Sequence, residues 1–387
     1  MELIILLQAI VLLYIFYLMA KVCDDYFIDS LEIITRRLKI SEDVAGASFM
    51  AVGSSAPELF IALIALTKPG QESIGVGTIV GSAIFNVLVI IGASAWVAKT
   101  LLDWKPLLRD IMFYIISLLI LLLTFYDGEI TYSEVFIYIA TYIIYLFVLK
   151  RWKKWVPNDL VSNELVSNDL NSSISEDTEK EVLEKSDNIK KIKIYHKYST
   201  PLNFRLIQKY SKKILDLTFP DLKKNENLYL VSFGISIVWI ALLSWAMVEI
   251  GVDMAHHLGI PAAIIGLTIL AAGTSIPDLL SSVIASRRGM GNMALSNAIG
   301  SNTFDILIGL GVPWLLYIWL SGSNVGVETD SLITSVLLLF STVILLGVIL
   351  IAKKFVLDRK VGFFFILIYV IYLSYEIIKA ISPDLLF

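Results

Sequence analysis

Ten stretches of the chain are apolar for long enough to cross a lipid bilayer, with polar breaks between them. A hydrocarbon core about 30 Å thick takes roughly 20 residues of helix. The stretches run approximately over 2–22, 44–67, 73–98, 106–126, 131–149, 228–250, 259–285, 291–319, 330–352 and 361–381. Five precede a polar segment at 151–226 and five follow it. This pattern predicts an all-α polytopic membrane protein: a first five-helix repeat over 1–150, a linker over 151–226 and a second five-helix repeat over 227–387. The first stretch continues amphipathically through Cys23-Asp24-Asp25-Tyr26 towards Arg37, so a long first helix is expected. It has no basic start and no small-residue cleavage site, and does not read as a signal peptide.

Basic residues alternate with the same period. One set of loops holds Arg36, Arg37, Lys39, Lys99, Lys105, Arg109, Lys150, Arg151, Lys153, Lys154, Arg287, Arg288, Lys353, Lys354, Arg359 and Lys360. The opposite set holds Lys68 and Lys379. Because basic loops stay on the cytoplasmic side, this bias places the linker in the cytoplasm and both termini across the membrane. Whether that membrane belongs to the cell surface or to an organelle is not written in the pattern.

Composition agrees: 57% of residues are hydrophobic and 17% charged, with a mean hydropathy of +0.77. Such values exclude a disordered chain, a basic nucleic-acid binder and an ordinary soluble enzyme. The net charge of −4 decides nothing, because the charges concentrate in the linker. Residues 159–187 carry nine acids and two bases and contain an echo of Ser-Asn-acid-Leu, which reads as a disordered tether. In the basic part, Phe204, Ile207, Tyr210, Ile214 and Leu217 recur at helical spacing, with Lys209, Lys212 and Lys213 elsewhere on the helix. This predicts a helix lying on the anionic inner leaflet. One cysteine, Cys23, and three histidines, none in an apolar stretch, leave no disulfide framework, thiolate zinc site or catalytic constellation. Neither an enzyme nor a resident cofactor is expected.

An internal repeat carries the candidate chemistry. Residues 46–59, GASFMAVGSSAPEL, match 266–279, GLTILAAGTSIPDL, at Gly46/Gly266, Ala51/Ala271, Gly53/Gly273, Ser55/Ser275, Pro57/Pro277 and Leu59/Leu279. Residues 81–92, GSAIFNVLVIIG, match 300–311, GSNTFDILIGLG, with Asn86 opposite Asp305. The copies occupy the second and third stretches of each half. Because each half holds an odd number of spans, the halves must cross in opposite directions, the inverted-repeat arrangement of secondary transporters.

Pro57 and Pro277 cannot donate to the carbonyls of Gly53 and Gly273 and crowd them. Both helices should therefore break, freeing backbone oxygens where lipid cannot solvate them. Glu58 and Asp278 follow the prolines, and Glu58 lies ~18 Å along its helix from residue 46. Ionisable groups at that depth are costly and functional. Ser54 and Ser55 precede Glu58 by four and three residues, as Thr274 and Ser275 precede Asp278, so each hydroxyl pair should share a helix face with its own carboxylate. Ser82 with Asn86 and Ser301 with Asp305 are further i, i+4 pairs. Such an oxygen-only set suits Ca²⁺, Na⁺ and K⁺ and disfavours soft metals. Two carboxylates balance one Ca²⁺; with Asp305, three balance Ca²⁺ plus K⁺ or several Na⁺. The small residues have a packing reading as well, and Asp305 has one as a protonated spacer opposite Asn86. Asp24 and Asp25 read as interfacial, and Glu249, Asp253, His256 and His257 as solvated groups of an outer loop.

At these residues the chain resembles the cation/calcium exchanger superfamily, most closely its potassium-dependent sodium/calcium exchangers. The stretches that carry the resemblance are CDDYFIDSLE (23–32), SEDVAGASFMAVGSSAPELF (41–60), VGTIVGSAIFNVLVIIG (76–92) and GTSIPDLLSSVIASRRGMGNMALSNAIGSNTFDILIGLGVPW (273–314). The resemblance implies ten helices in two inverted repeats with broken helices at the centre. It also implies alternating access, with sodium moving in one direction and calcium with potassium in the other. By position it implies Glu58 and Asp278 as shared calcium and sodium ligands. Ser54, Ser55, Thr274, Ser275, Ser82, Asn86 and Ser301 become supporting oxygens, the backbone carbonyls of Ala51 and Ala271 sodium-site groups, and Asp305 the potassium determinant. The rival readings are a calcium/cation exchanger using sodium alone or protons, and, in another class, a cation channel. Inorganic cations and the bilayer are the partners implied, and nucleic acid is not; nothing in the sequence points to a protein partner.

Overall fold

The computed structural model describes residues 2–37, 54–68, 70–155, 202–222, 224–287, 289, 291–327 and 330–381. Helix α1 (Glu2–Val22) passes through one wide π-turn (Cys23–Phe27) into α2 (Ile28–Arg37), so the long first helix is present. There follow α3 (Ala56–Leu66), α4 (Glu72–Phe85), a π-turn over Asn86–Ile90 and α5 (Ile91–Val97). A short β1 (Thr100–Leu101) leads to α6 (Trp104–Thr124), and β2 (Glu129–Ile130) to α7 (Tyr132–Trp155). After α8 (Leu202–Thr218) the second half runs through α9 (Tyr229–Leu258), α10 (Ala262–Ile265), a π-turn (Gly266–Leu270), α11 (Ala271–Thr274) and α12 (Ile276–Arg287). It closes with α13 (Gly291–Phe304), a π-turn (Asp305–Leu310), α14 (Gly311–Ser321), β3 (Val325–Gly326), α15 (Asp330–Ala352), β4 (Val356–Leu357) and α16 (Arg359–Ile381).

Among the described residues, eight helices are long and apolar enough to span a bilayer. The pair Ala262–Thr274 and Asp278–Arg287, bent by 48°, makes a further broken span. Of the predicted stretch 44–67, helix α3 is seen; residues 38–53, including Ala51, and the acidic linker 159–187 lie outside the described residues. The membrane halves, Met1–Lys150 and Asp221–Phe387, form one compact unit, and Arg151–Pro220 forms another. The two sequence halves are therefore not separate bodies. Large apolar side chains such as Leu123, Phe136, Leu242, Ile351 and Leu367 stand exposed on the long helices, a surface that only lipid tolerates at this extent.

Local chemistry explains several helix starts. Asp103 caps α6, its Oδ1 accepting from Lys105 N at 3.2 Å. Asp358 caps α16 through Lys360 N and Val361 N, both at 3.0 Å, and the Val361 N–H holds its carboxyl below the usual range. One expectation is corrected here: Glu249, Asp253, His256 and His257 lie in the last turns of α9, not in a loop, and Glu249 pairs with Lys68. The apolar pattern understated that helix because its final turns are polar.

Helix α4 is the centre of the packing, buried from Ile74 to Phe85. It runs against the π-turn and short helices of 262–274. The contact is between backbones: a methyl on Gly81 would strike the Leu267 carbonyl and Ala271 Cβ, and one on Gly266 the Ile74 carbonyl. Two antiparallel bridges tie the loops. Thr100 and Leu101 pair with Leu357 and Val356 at the start of α6, and Glu129 and Ile130 pair with Gly326 and Val325 beyond its end. Gly81→Ala should destabilise the folded protein by about 1–3 kcal/mol through overpacking. Gly234→Ala, where a methyl meets nothing, should be neutral. Thermal unfolding in detergent compares the two, and equal melting temperatures would refute the close approach.

Candidate ion-binding site

Each proline heads a new helix, and each break lies just before it. Ser55 leaves helical geometry (φ −94°, ψ 6°) and Pro57 sits in the first turn of α3. Ser275 does the same (φ −83°, ψ 1°), and α12 starts at Ile276. The break is therefore at Ser55 and Ser275, two residues after the glycines where the proline argument put it. Proline is tolerated at a helix start, so the chain ends one helix and begins another there. Glu58 and Asp278 then occupy the first turns of the new helices, where unpaired N–H groups favour a carboxylate.

All three carboxylates are interior: Glu58 is 1% exposed, Asp278 3% and Asp305 1%. Glu58 lies within electrostatic reach of Asp278, and Asp305 within reach of both. Ser82 of α4 bridges the repeats, with Oγ 3.3 Å from Glu58 Oε1 and 2.7 Å from Ser275 Oγ. Ser54 bonds to Asp278, while Thr274 lies beside Glu58. This corrects the expectation that each hydroxyl pair serves its own carboxylate. With the helix broken between them, i−4 spacing no longer sets the facing: Ser54 and Thr274 each turn to the acid of the other repeat, while Ser82 stays with Glu58 and Ser301 with Asp278. Ser301 lies beside Asp278, and Ser55 beside Asp305. The Ala271 carbonyl accepts from Ser275 N and Thr274 Oγ1, each at 3.2 Å. Ala51, named with it from the sequence, is outside the described residues.

Asn86 and Asp305, opposite each other in the repeat alignment, each begin a π-turn, a wide turn found at functional sites. Asn86 Nδ2 donates to Asn302 Oδ1 at 2.8 Å and to Ser301 Oγ at 3.3 Å. Asn302 was not among the sequence candidates, yet its amide also reaches the Ala83 carbonyl (3.2 Å) and Tyr114 Oη (3.1 Å). Ala83 is its own counterpart in the repeat, so an amide where the other copy has a methyl was the available signal. Asn297 was missed as well; its Nδ2 stands 3.4 Å from Asp278 Oδ1 and 3.5 Å from Ser282 Oγ.

Four oxygens at this centre are buried with no hydrogen-bond partner: Glu58 Oε2, Ser55 Oγ, Asn86 Oδ1 and Asp305 Oδ1. Buried acceptors in that state cost free energy unless something positive meets them. Among the described residues no three His, Cys, Asp or Glu side chains form a metal cage by themselves. Any cation here would be held by carboxylates together with hydroxyl, amide and backbone oxygens. Asn302→Ala should remove the 2.8 Å acceptor of Asn86 Nδ2 and the amide that meets Tyr114 Oη, at about 1–3 kcal/mol. A melting temperature unchanged from the parent would count against this clamp.

A family model described as sodium/calcium exchanger protein matches residues 8–150 and 228–378. The human sodium/potassium/calcium exchanger 4 is 31% identical over an alignment covering 96% of this chain and 81% of the relative. Sodium/potassium/calcium exchanger 1 of Gallus gallus is 29% identical, covering 96% and 78%. Among solved structures, the sodium-calcium exchanger NCX_Mj soaked with Na⁺ and Sr²⁺ superposes with a TM-score of 0.54 at 24% identity, covering 95% of this chain and 98% of that one. The same exchanger without Na⁺ and Ca²⁺ gives 0.54 at 22%. Its fold is the fold seen here, and the chain belongs to the sodium/calcium exchanger protein family.

Proposed function

We propose that the protein is a secondary antiporter that exchanges sodium for calcium together with potassium by alternating access. The observation that carries this reading is the meeting of Glu58 and Asp278 inside a lipid-facing bundle, among open oxygens supplied by both halves. A hard cation satisfies such oxygens, and lipid offers them no hydrogen bonds. The similar proteins named sodium/potassium/calcium exchangers support the ion choice. In this reading Glu58 and Asp278 bind calcium and sodium in turn. Ser54, Ser55, Ser82, Asn86, Thr274, Ser275, Ser301 and the Ala51 and Ala271 carbonyls complete the shells, and Asp305 takes potassium. Two carboxylates match Ca²⁺ and the third matches K⁺, so that each loaded state is near neutral in a medium where net charge is costly.

The architecture we propose is ten spans in two inverted five-span repeats, with the linker cytoplasmic and both termini opposite. The two β-bridges support it. One joins the loops after the third and ninth spans, the other those after the fourth and eighth. Exchanging the halves maps each bridge onto the other at the opposite end of α6. The moving parts in this scheme are α1 and α9, which pack on each other, while Phe16 of α1 rests on Gly273 beside Thr274. In the linker, α8 exposes Tyr210, Ile214 and Leu217, with Lys209, Lys212 and Lys213 exposed as well. We assign it to the anionic membrane surface.

Vesicles loaded with calcium test the proposal. Efflux should require external sodium and fall when potassium is removed from the calcium side; efflux driven by a proton gradient alone would overturn it. Glu58→Gln should abolish exchange, and Asp305→Asn should lose potassium dependence while retaining sodium-driven calcium movement. Deleting residues 158–200 should leave flux intact, read in the same vesicles.

A further inference from the structure

Helix α12 carries a polar stripe from the carboxylates towards the end marked by Arg287. Asp278, Ser282 and Ser286 follow one another at four-residue spacing, on one face and about 12 Å long. All three are buried, while Leu280 on another face is exposed. The face lies against α5, α13 and the π-turn at Asn86. Asn297 of α13 links the first two members, reaching both Asp278 and Ser282. At the far end a cavity of about 10 Å³, room for one water, is lined by Ser286, Ser94 of α5, Thr100 and Leu357 among others. Ser286 is 1% exposed and Ser94 7%, and neither hydroxyl has a hydrogen-bond partner.

Ser232 and Ser244 on α9 are open too, but only Ser94 and Ser286 among the described residues line this cavity together with open hydroxyls. Ser30, Thr78, Ser236 and Thr268 are buried on helices too, and each bonds back to the carbonyl four residues earlier. Ser94 and Ser286 instead leave their oxygens to the cavity. Packing does not demand serine there either. The repeat counterparts of Asp278, Ser282 and Ser286 are Glu58, Ala62 and Leu66, and the counterpart of Ser94 is Pro313. All four counterparts are buried, so the fold accepts apolar groups at three of these four positions. The stripe therefore belongs to one half of the protein and not to the repeat.

We propose that the cleft between Ser286 and Ser94 is a hydrated step on the access route joining the carboxylates to the face bearing Arg287. Water occupies it at rest, and the transported cations pass through it, exchanging part of their hydration for the hydroxyls of Ser286, Ser94 and Ser282. The paired residues Thr100 and Leu357 form its floor, so the β1–β4 bridge closes the route. This rests on the antiport reading for what passes, and on the charge bias for calling that face cytoplasmic.

The test places a single cysteine at Ser286 in a Cys23→Ser background of the full chain, reconstituted in vesicles. A small cationic methanethiosulfonate reagent is applied from each face. Labelling is read by mass spectrometry and exchange by calcium flux. Reagent from the Arg287 face should label the cysteine fully and stop flux, and saturating sodium should slow the labelling. Ser94→Cys should behave alike, and Leu66→Cys, on the apolar counterpart, should resist the reagent. No labelling of either serine position from the Arg287 face, or complete labelling with flux unchanged, overturns the proposal. Labelling does not depend on exchange, so a parent protein that fails to exchange sodium for calcium would overturn the function while leaving the route readable.

Discussion

Glu58 Oε2, Asp305 Oδ1, Asn86 Oδ1 and Ser55 Oγ are buried without partners at the centre of a bundle whose outside is built for lipid. Lipid offers no hydrogen bonds, and a carboxylate deprived of both water and a counter-ion is among the most expensive groups a fold can contain. The surrounding structure works under that constraint. The broken helices present their N-terminal turns to the acids, Ser82 ties Glu58 to the opposite repeat, and Asn302 anchors Asn86. What is left unsatisfied is a set of oxygens of the kind that hard cations bind.

The site belongs to neither half alone. Each repeat supplies an acid, and Ser54 and Thr274 each reach the acid of the other repeat, so neither half of the chain holds the cluster by itself. This interlock follows from the close backbone approach of α4 to the segment 262–274, which Gly81 and Gly266 permit. It also accounts for the compactness of the two membrane halves as one unit. In the inverted architecture proposed above, oxygens shared between the two halves are what allows a site to be opened from one side at a time.

Near-symmetry also makes the differences informative. Asp305 against Asn86 adds a charge to one half, Asn302 against Ala83 adds an amide, and Ser282 with Ser286 against Ala62 with Leu66 adds a polar track. Each change puts more polar chemistry in the second repeat where the first has an amide or an apolar side chain. The two halves thus share a sequence pattern and differ in the polar groups they carry.

Spans and site were legible in the sequence to different depths. Hydrophobic length located the described long helices, because the bilayer imposes one thickness on all of them; it understated α7 and α9, whose final turns are polar. The repeat and its prolines pointed to Glu58 and Asp278, because burying an acid is too costly to occur twice at matching positions by accident. The π-turns at Asn86 and Asp305 left no trace, since they insert one residue into a helix without disturbing its apolar face. The crossing of Ser54 to Asp278, the bridge from Ser82 to Ser275 and the Asn302 clamp were decided by tertiary structure alone. Sequence spacing orders side chains only within an unbroken helix, whereas at this site the acids follow a break and several of their neighbours come from the other half of the chain.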